Sequence, residues 1–206
     1  VGARTLRRMA GLAAYNKWLH DRFDAFLGRR ILEVGSGVGN QTRYFADRER
    51  VVASDIEPHY LRELRRRFEG QAQVRVASFA FPLSDADRAD LRGERLDSIV
   101  CMNVLEHIKD DRATLVDFAS VLEPGGVFLG SSLCRGLVRP ADFMLNQYER
   151  WGIYPILRSR EYLIRELREA FPGTEVLYET YGAVVFYTIE PRPAVKPQMD
   201  AAAREP

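Results

Sequence analysis

The stretch ILEVGSGVGNQT, residues 31–42, decides how the rest of the chain is read. An apolar run containing the acid Glu33 is followed by three glycines at alternate positions, Gly35, Gly37 and Gly39. Such a run bounded by glycine predicts a short buried strand that opens into a loop. Glycine lets the loop take dihedrals closed to other residues and brings its backbone close to a ligand. The N–H groups around Ser36, with a helix expected to begin near Asn40, favour a carboxylate or phosphate. Spacing excludes two familiar ligands. A dinucleotide loop reads GxGxxG, and here the third glycine comes one residue early; a Walker loop needs a following Gly-Lys-Ser/Thr, which is missing. Taken alone, the pattern is weak evidence, since a tight turn packed under a helix is the alternative reading.

The next strand narrows the choice. RVVASD, residues 50–55, is apolar and ends in Asp55, 20 residues after Gly35. In a doubly wound sheet a carboxylate at that strand tip can accept both hydroxyls of a ribose. The competing role is an N-cap for the helix that follows. Loop and acid together point to a nucleoside-containing ligand with an anionic or carboxylate end, and the spacing argues against NAD.

Further outward, strands and helices alternate. Residues 5–27 read as one or two helices, with Leu12, Tyr15, Leu19, Phe23 and Phe26 at three- and four-residue steps and Gly28 as a stop. EPHYLRELRRRFEG is a helix with Pro58 near its start and Gly70 at its end. AQVRVASFA and LDSIVCMN are the third and fourth strands. DDRATLVDFASVLEPGG is a helix running into a Pro-Gly-Gly turn, and VFLGSSL is the fifth strand. This order predicts an α/β fold with a doubly wound, mainly parallel sheet. A helix over residues 159–170 precedes TEVLYETYG and AVVFYTIE. Only Gly182 and its neighbours separate those two runs, too little for a crossover, so they should pair antiparallel. The division expected is a single domain over residues 1–190 and a disordered tail over 191–206.

Composition fits a soluble globular chain: 46% hydrophobic and 29% charged among 206 residues, with a net charge of +1. Positive charge is mostly arginine interleaved with acids, the pattern of a solvated helix face, which argues against a nucleic-acid partner. Cys101 and Cys134 lie in apolar runs without a metal-binding or disulfide framework, so buried free thiols in a reducing compartment are expected. Absence of an 18-residue apolar run or a signal-peptide pattern adds to the expectation of a cytoplasmic protein without a membrane partner.

ILEVGSGVGNQTRYF, VVASDIEPHYL, LDSIVCMNVLEHIKDD and LEPGGVFLG resemble the successive motifs of class I S-adenosylmethionine-dependent methyltransferases, closest to bacterial small-molecule enzymes. The resemblance covers roughly residues 15–132. It implies a Rossmann-like seven-stranded sheet whose C-terminal strand pair is antiparallel, and S-adenosyl-L-methionine as cofactor. Carried over by residue, Glu33 would orient the loop and the methionine moiety, with Gly35, Ser36, Gly37 and Gly39 forming the loop beneath it. Asp55 would bind the ribose hydroxyls and Ile56 would lie against the adenine. Asn103 and Val104 would border the sulfonium, although a turn-capping asparagine and a packed valine would look the same. Pro124-Gly125-Gly126 would be a structural turn. One departure stands out: many relatives place an acid after the third strand for the adenine amine, whereas this chain has VASFAF and no acid until Asp85. A backbone carbonyl, with Phe79 or Phe81 against the ring, would have to serve instead.

Methyl transfer needs an aligned nucleophile and, for a protonated acceptor, a base. His107 in NVLEHI is the candidate; a capping or core histidine is the alternative reading. Glu106 beside it faces either the sheet edge or the substrate. No cluster supplies the other ligands of a metal site, so none is expected. Tyr15 and Trp18, one turn apart, are candidates to close over the cofactor, or else ordinary core. Residues 135–157 carry Phe143, Met144, Tyr148, Trp151 and Tyr154. That segment reads as a lid for a planar or apolar acceptor, with Tyr148, Trp151 and Tyr154 touching substrate, or as an interface in a homo-oligomer. The implied activity is methylation of O, N or C on a small molecule. An RNA or protein methyltransferase, and a non-catalytic binding protein that keeps the fold, are the other readings.

Overall fold

The computed structural model describes residues 13–135, 156–181 and 184–191. The expected substrate contacts Tyr148, Trp151 and Tyr154, the first part of the N-terminal helical segment and the tail after Pro191 lie outside the described residues.

Alternation along the strands builds the sheet. In β1 (Arg30–Val34), β2 (Arg50–Ser54), β4 (Leu96–Met102) and β5 (Leu122–Arg135), successive side chains enter opposite cores. Ile31, Val51, Val100 and Leu129 pack with Leu19, Phe23, Leu27 and Phe45. Leu32, Val52, Ile99 and Phe128 pack on the other side with Leu91, Leu115 and Phe118. Strands apolar on both faces require cover on both faces, which is why the strands are parallel and joined by helices.

With β3 (Val74–Ala77), β7 (Thr174–Tyr181) and β8 (Val184–Pro191), the strand order is β3-β2-β1-β4-β5-β8-β7. β1 pairs in parallel with both β2 and β4, β2 with β3, and β4 with β5; β8 runs antiparallel between β5 and β7. The two-residue β6 (Arg158–Ser159) pairs with the end of β5. The chain leaves β1 towards β2 on one side and reaches β4 on the other, so the strand order reverses at β1, and open α/β sheets form their crevice at the strand ends there.

Helices are α1 (Ala13–Asp21), α2 (Thr42–Phe45), α3 (Pro58–Arg67), α4 (Asp85–Gly93), α5 (Asp111–Val121) and α6 (Arg160–Ala170). Three features differ from expectation. The helix after the glycine loop is a single turn, so its dipole adds little to anion binding there. Helix α4 has no counterpart in the sequence reading: Leu91 is its one buried residue, leaving almost no apolar period. A cap makes it, since Ser84 Oγ accepts from Asp87 N–H at 3.1 Å and Asp85 and Asp87 occupy the first turn. The Pro-Gly-Gly turn lies within β5 rather than before it. Leu122 pairs with Leu96 and Val127 with Ser98, and Gly125 at φ +85° absorbs the excess length.

The antiparallel insertion is locked by size complementarity. A Cβ on Gly130 of β5 would come within 2.6 Å of the Tyr187 ring from β8, so the aromatic fits because the strand opposite has no side chain. Tyr187 is 1% exposed. Among the described residues no helix is long and apolar enough to cross a membrane.

Candidate functional site

The crevice starts at the end of β1. Gly35, Gly37 and Gly39 all have left-handed backbones, at φ +72°, +54° and +78°. Ser36 N–H donates to Ser54 O at 2.8 Å and Ser54 Oγ to Glu33 O at 2.9 Å, which fastens the loop to β2. Gly35 and Gly39 have different reasons. A Cβ on Gly35 would land on the Val104 side chain, so the loop after β1 and the turn after β4 are in contact. A Cβ on Gly39 would meet Phe68 at 2.8 Å and Leu64 at 3.2 Å; the third glycine therefore serves packing on α3 and not the ligand face. Arg67 of α3 donates to Val38 O at 2.7 Å and holds the loop from beneath.

Glu33 is buried, and its Oε2 accepts from Ser36 Oγ at 2.8 Å and from Thr42 Oγ1. Burial pushes its pKa up to about 7, and the Asp55 charge adds to this, while the two hydroxyls oppose it. Glu33 thus organises the loop from inside.

Asp55 stands at the tip of β2. Its Oδ2 accepts from Gly37 N–H and its Oδ1 from Glu57 N–H, both at 2.9 Å. Residue 57 occupies the cap position of α3 without a side-chain cap, so Asp55 does not act as the N-cap. One backbone donor per oxygen leaves further acceptor capacity on each for two vicinal hydroxyls. Ile56, next along, is 64% exposed, an apolar surface beside an acid with acceptor capacity to spare. That pairing fits the ribose and base of a nucleoside.

Beyond β4, Asn103 has φ +53°, a conformation rarely held by a residue with a side chain, and one that collects at functional sites. Its N–H donates to Ser131 O at 2.7 Å and its Oδ1 accepts from Ser131 Oγ at 3.2 Å. A 3₁₀ turn, Leu105–His107, follows. His107 reaches the surface, and partial desolvation lowers its pKa, which keeps the imidazole neutral at neutral pH. Glu106, by contrast, is 3% exposed.

The structure therefore brings together Glu33, Gly35, Ser36, Gly37, Asp55, Ile56, Asn103, Val104 and the His107 turn. It corrects the place of Phe79, which is 4% exposed within the core and has Arg75 over its ring at 5.9 Å. Burying an aromatic ring is favourable by about 2 kcal/mol, and β3 ends early enough at Ala77 to let the chain turn inward. Phe81 is likewise committed, edge-on to Phe118. Tyr15 and Trp18 are neither core nor a closed cover: they are 38% and 39% exposed, with ring centroids 5.9 Å apart. The α1 residue turned towards the loop is Asn16, whose carbonyl accepts from Gln41 Nε2 at 3.1 Å. Asn16 and Thr42 were missed by sequence reasoning; a polar residue on a helix's apolar side and a hydroxyl one step past the glycines were the available signals. Cys101 and Cys134 are buried and unpaired. Among the described residues no cluster of histidine, cysteine or acids is placed to hold a metal.

A family model described as a methyltransferase domain matches residues 32–128. A Mycolicibacterium smegmatis protein named "Probable S-adenosylmethionine-dependent methyltransferase" is 30% identical over 152 residues, 69% of this chain and 56% of that protein. A ubiquinone biosynthesis O-methyltransferase of Xanthomonas campestris is 34% identical over 125 residues, 59% of this chain and 48% of the relative. The chain spans about half the length of these curated relatives. Among solved structures, N-methyltransferase NodS of Bradyrhizobium japonicum in complex with S-adenosyl-L-homocysteine aligns with a TM-score of 0.61 at 19% identity, covering 89% of this chain and 86% of that one. At that identity the match speaks for the fold.

Proposed function

The chain belongs to the class I S-adenosylmethionine-dependent methyltransferases, and from that premise we propose that it methylates an O, N or C atom of a small-molecule acceptor. The observation that carries this is the Asp55 carboxylate, held by the N–H groups of Gly37 and Glu57 beside exposed Ile56. Asp55 would hold the ribose hydroxyls and Ile56 the adenine, with exposed Gly35 and the Ser36–Gly37 backbone passing under the methionine part. Asn103 and Val104 border the reacting centre. S-adenosylmethionine, when bound, supplies an electrophilic methyl group on a sulfonium.

The chain's own residues have three tasks: seat that group, align the acceptor, and remove a proton where the acceptor carries one. A neutral His107 suits the last task, because desolvation lowers its pKa and so keeps a ring nitrogen unprotonated and free to accept. Tyr148, Trp151 and Tyr154 would form the apolar wall for the acceptor. The small-molecule reading follows the ubiquinone-pathway relative, and two free cysteines suit a reducing, cytoplasmic setting.

Calorimetric titration with S-adenosylmethionine and S-adenosylhomocysteine is the test. Heat from both that is lost in Asp55→Ala supports the site; silence from both in the natural sequence ends the reading. Turnover that is unchanged in His107→Ala would remove His107 as the base.

A further inference from the structure

Asn103 is gripped from the neighbouring strand by a single residue. Met102, the last residue of β4, stands opposite Ser131 of β5 in the register of the two strands. Ser131 then bonds twice to the residue that follows: its carbonyl accepts from Asn103 N–H at 2.7 Å, and its Oγ donates to Asn103 Oδ1 at 3.2 Å. Ser131 is 0% exposed, so water does not compete for the hydroxyl proton. The other acceptor in reach is Met102 Sδ at 3.7 Å, and a thioether accepts weakly. The proton therefore goes to the amide oxygen. That choice fixes which way the amide faces, with Oδ1 towards β5 and Nδ2 away from it.

Away from β5 is the crevice. Asn103 is exposed at the end of β4, and Val104 beside it touches Gly35 of the glycine loop. His107, whose N–H closes the turn on Val104 O at 2.8 Å, is exposed as well. Nδ2 donates to no atom among the described residues. Water can serve it while the crevice is empty, but a molecule that displaces the water has to supply an acceptor in its place. A left-handed backbone alone would account for an asparagine here. It would not account for a buried hydroxyl aimed at the side chain.

We propose that Asn103 is a specificity-determining residue that donates from Nδ2 to a carboxylate or carbonyl oxygen of the methyl acceptor, and that Ser131 is its positioning residue. The substrate class narrows to small molecules with such an oxygen close to the atom that receives the methyl group. A carboxylate is favoured, because a charge-assisted hydrogen bond is about twice as strong as a neutral one. An acceptor that offers only donors at this point meets a donor and is rejected. This inference rests on the methyltransferase reading.

The probe is benzoate, with benzylammonium as its donor-only counterpart, each titrated by NMR into isotope-labelled protein at saturating S-adenosylhomocysteine. The Asn103 side-chain amide signals are those missing from Asn103→Gly, a variant that keeps the backbone conformation, since glycine takes a positive φ freely. Benzoate should shift these signals and benzylammonium should not. Asn103→Gly should weaken benzoate binding by at least about tenfold, the scale of a hydrogen bond to a charged group. Ser131→Ala, which frees the amide to turn, should weaken it about threefold in the natural sequence and no further once Asn103 is glycine. An equal loss in both backgrounds would show that Ser131 acts on the fold and not through Asn103. Amide signals that ignore benzoate, equal shifts with benzylammonium, benzoate affinity unchanged in Asn103→Gly, or no benzoate bound would overturn the proposal. Failure of the natural sequence to bind S-adenosylhomocysteine would instead strike the methyltransferase reading.

Discussion

Gly37 N–H donates to Asp55 Oδ2 at 2.9 Å, so the glycine loop and the acid at the tip of the neighbouring strand form one hydrogen-bonded unit. The acid is thereby aimed before any ligand arrives. Replacing Asp55 removes both the proposed diol acceptor and the anchor of the loop. Asp55→Ala should weaken S-adenosylmethionine binding by at least about tenfold, since a hydrogen bond to a charged group is worth about 1.5–3 kcal/mol. Asp55→Asn should fall between, because its amide keeps one acceptor oxygen. Calorimetry reads both.

Gly35→Ala should destabilise the protein by about 1–3 kcal/mol, from a left-handed backbone and a clash with Val104 together. The two causes separate in a double variant. Adding Val104→Ala should recover the part due to the clash and none of the backbone strain. Urea unfolding of the three proteins measures this; full recovery, or none, would show that one cause acts alone.

Two buried carboxyls govern the acid side of the stability profile. Glu33 and Glu106 are both raised to about 7 by burial, from an ordinary value of 4.5. Between those values the unfolded chain has released protons that the folded protein retains. Their stabilising contribution is therefore complete below about pH 4.5 and falls as pH rises towards 7, by up to about 3 kcal/mol for each group. His20 and His107, both lowered by desolvation, act oppositely below about pH 6.5, because there the unfolded chain holds the extra proton. Single variants isolate the effect: Glu106→Gln should flatten the fall in unfolding free energy between pH 5 and 7 (about 3 kcal/mol at most). An unaltered slope would show that Glu106 ionises normally.

Ser84→Ala should cost about 1 kcal/mol, the usual value of an N-cap. The Arg88–Asp117 and Arg75–Asp90 ion pairs and buried Leu91 hold the rest of helix α4, so the loss is local, and hydrogen exchange in its first turn should quicken more than in α5. Uniform acceleration across both helices would mean that the cap stabilises the domain as a whole.

What the sequence made legible was whatever burial writes into a period. β1, β2, β4 and β5 are apolar on both faces and bounded by glycine or acid, and the structure has each of them. Glu33, Asp55 and the glycine loop were legible because strand ends fix their positions. Helix α4 was not, since Leu91 alone is buried; its cue was the Ser84–Asp87 cap. Phe79 was misplaced because counting from a strand end says where a residue sits but not which way the chain turns after β3. The hold of Ser131 on Asn103 depends on the register of β4 with β5, and no local pattern encodes that.

Placing β8 between β5 and β7 has a consequence for biosynthesis. Strand β5 is made about fifty residues before the partner that covers its free edge. Until residues 184–191 leave the ribosome, that edge stays open to pairing with other chains, and the slot at Gly130 has no Tyr187 to fill it. The sheet closes from within, with a late segment as its keystone. Nascent chains halted before residue 184 should therefore need chaperone cover, although the glycine loop and Asp55 have long since been made.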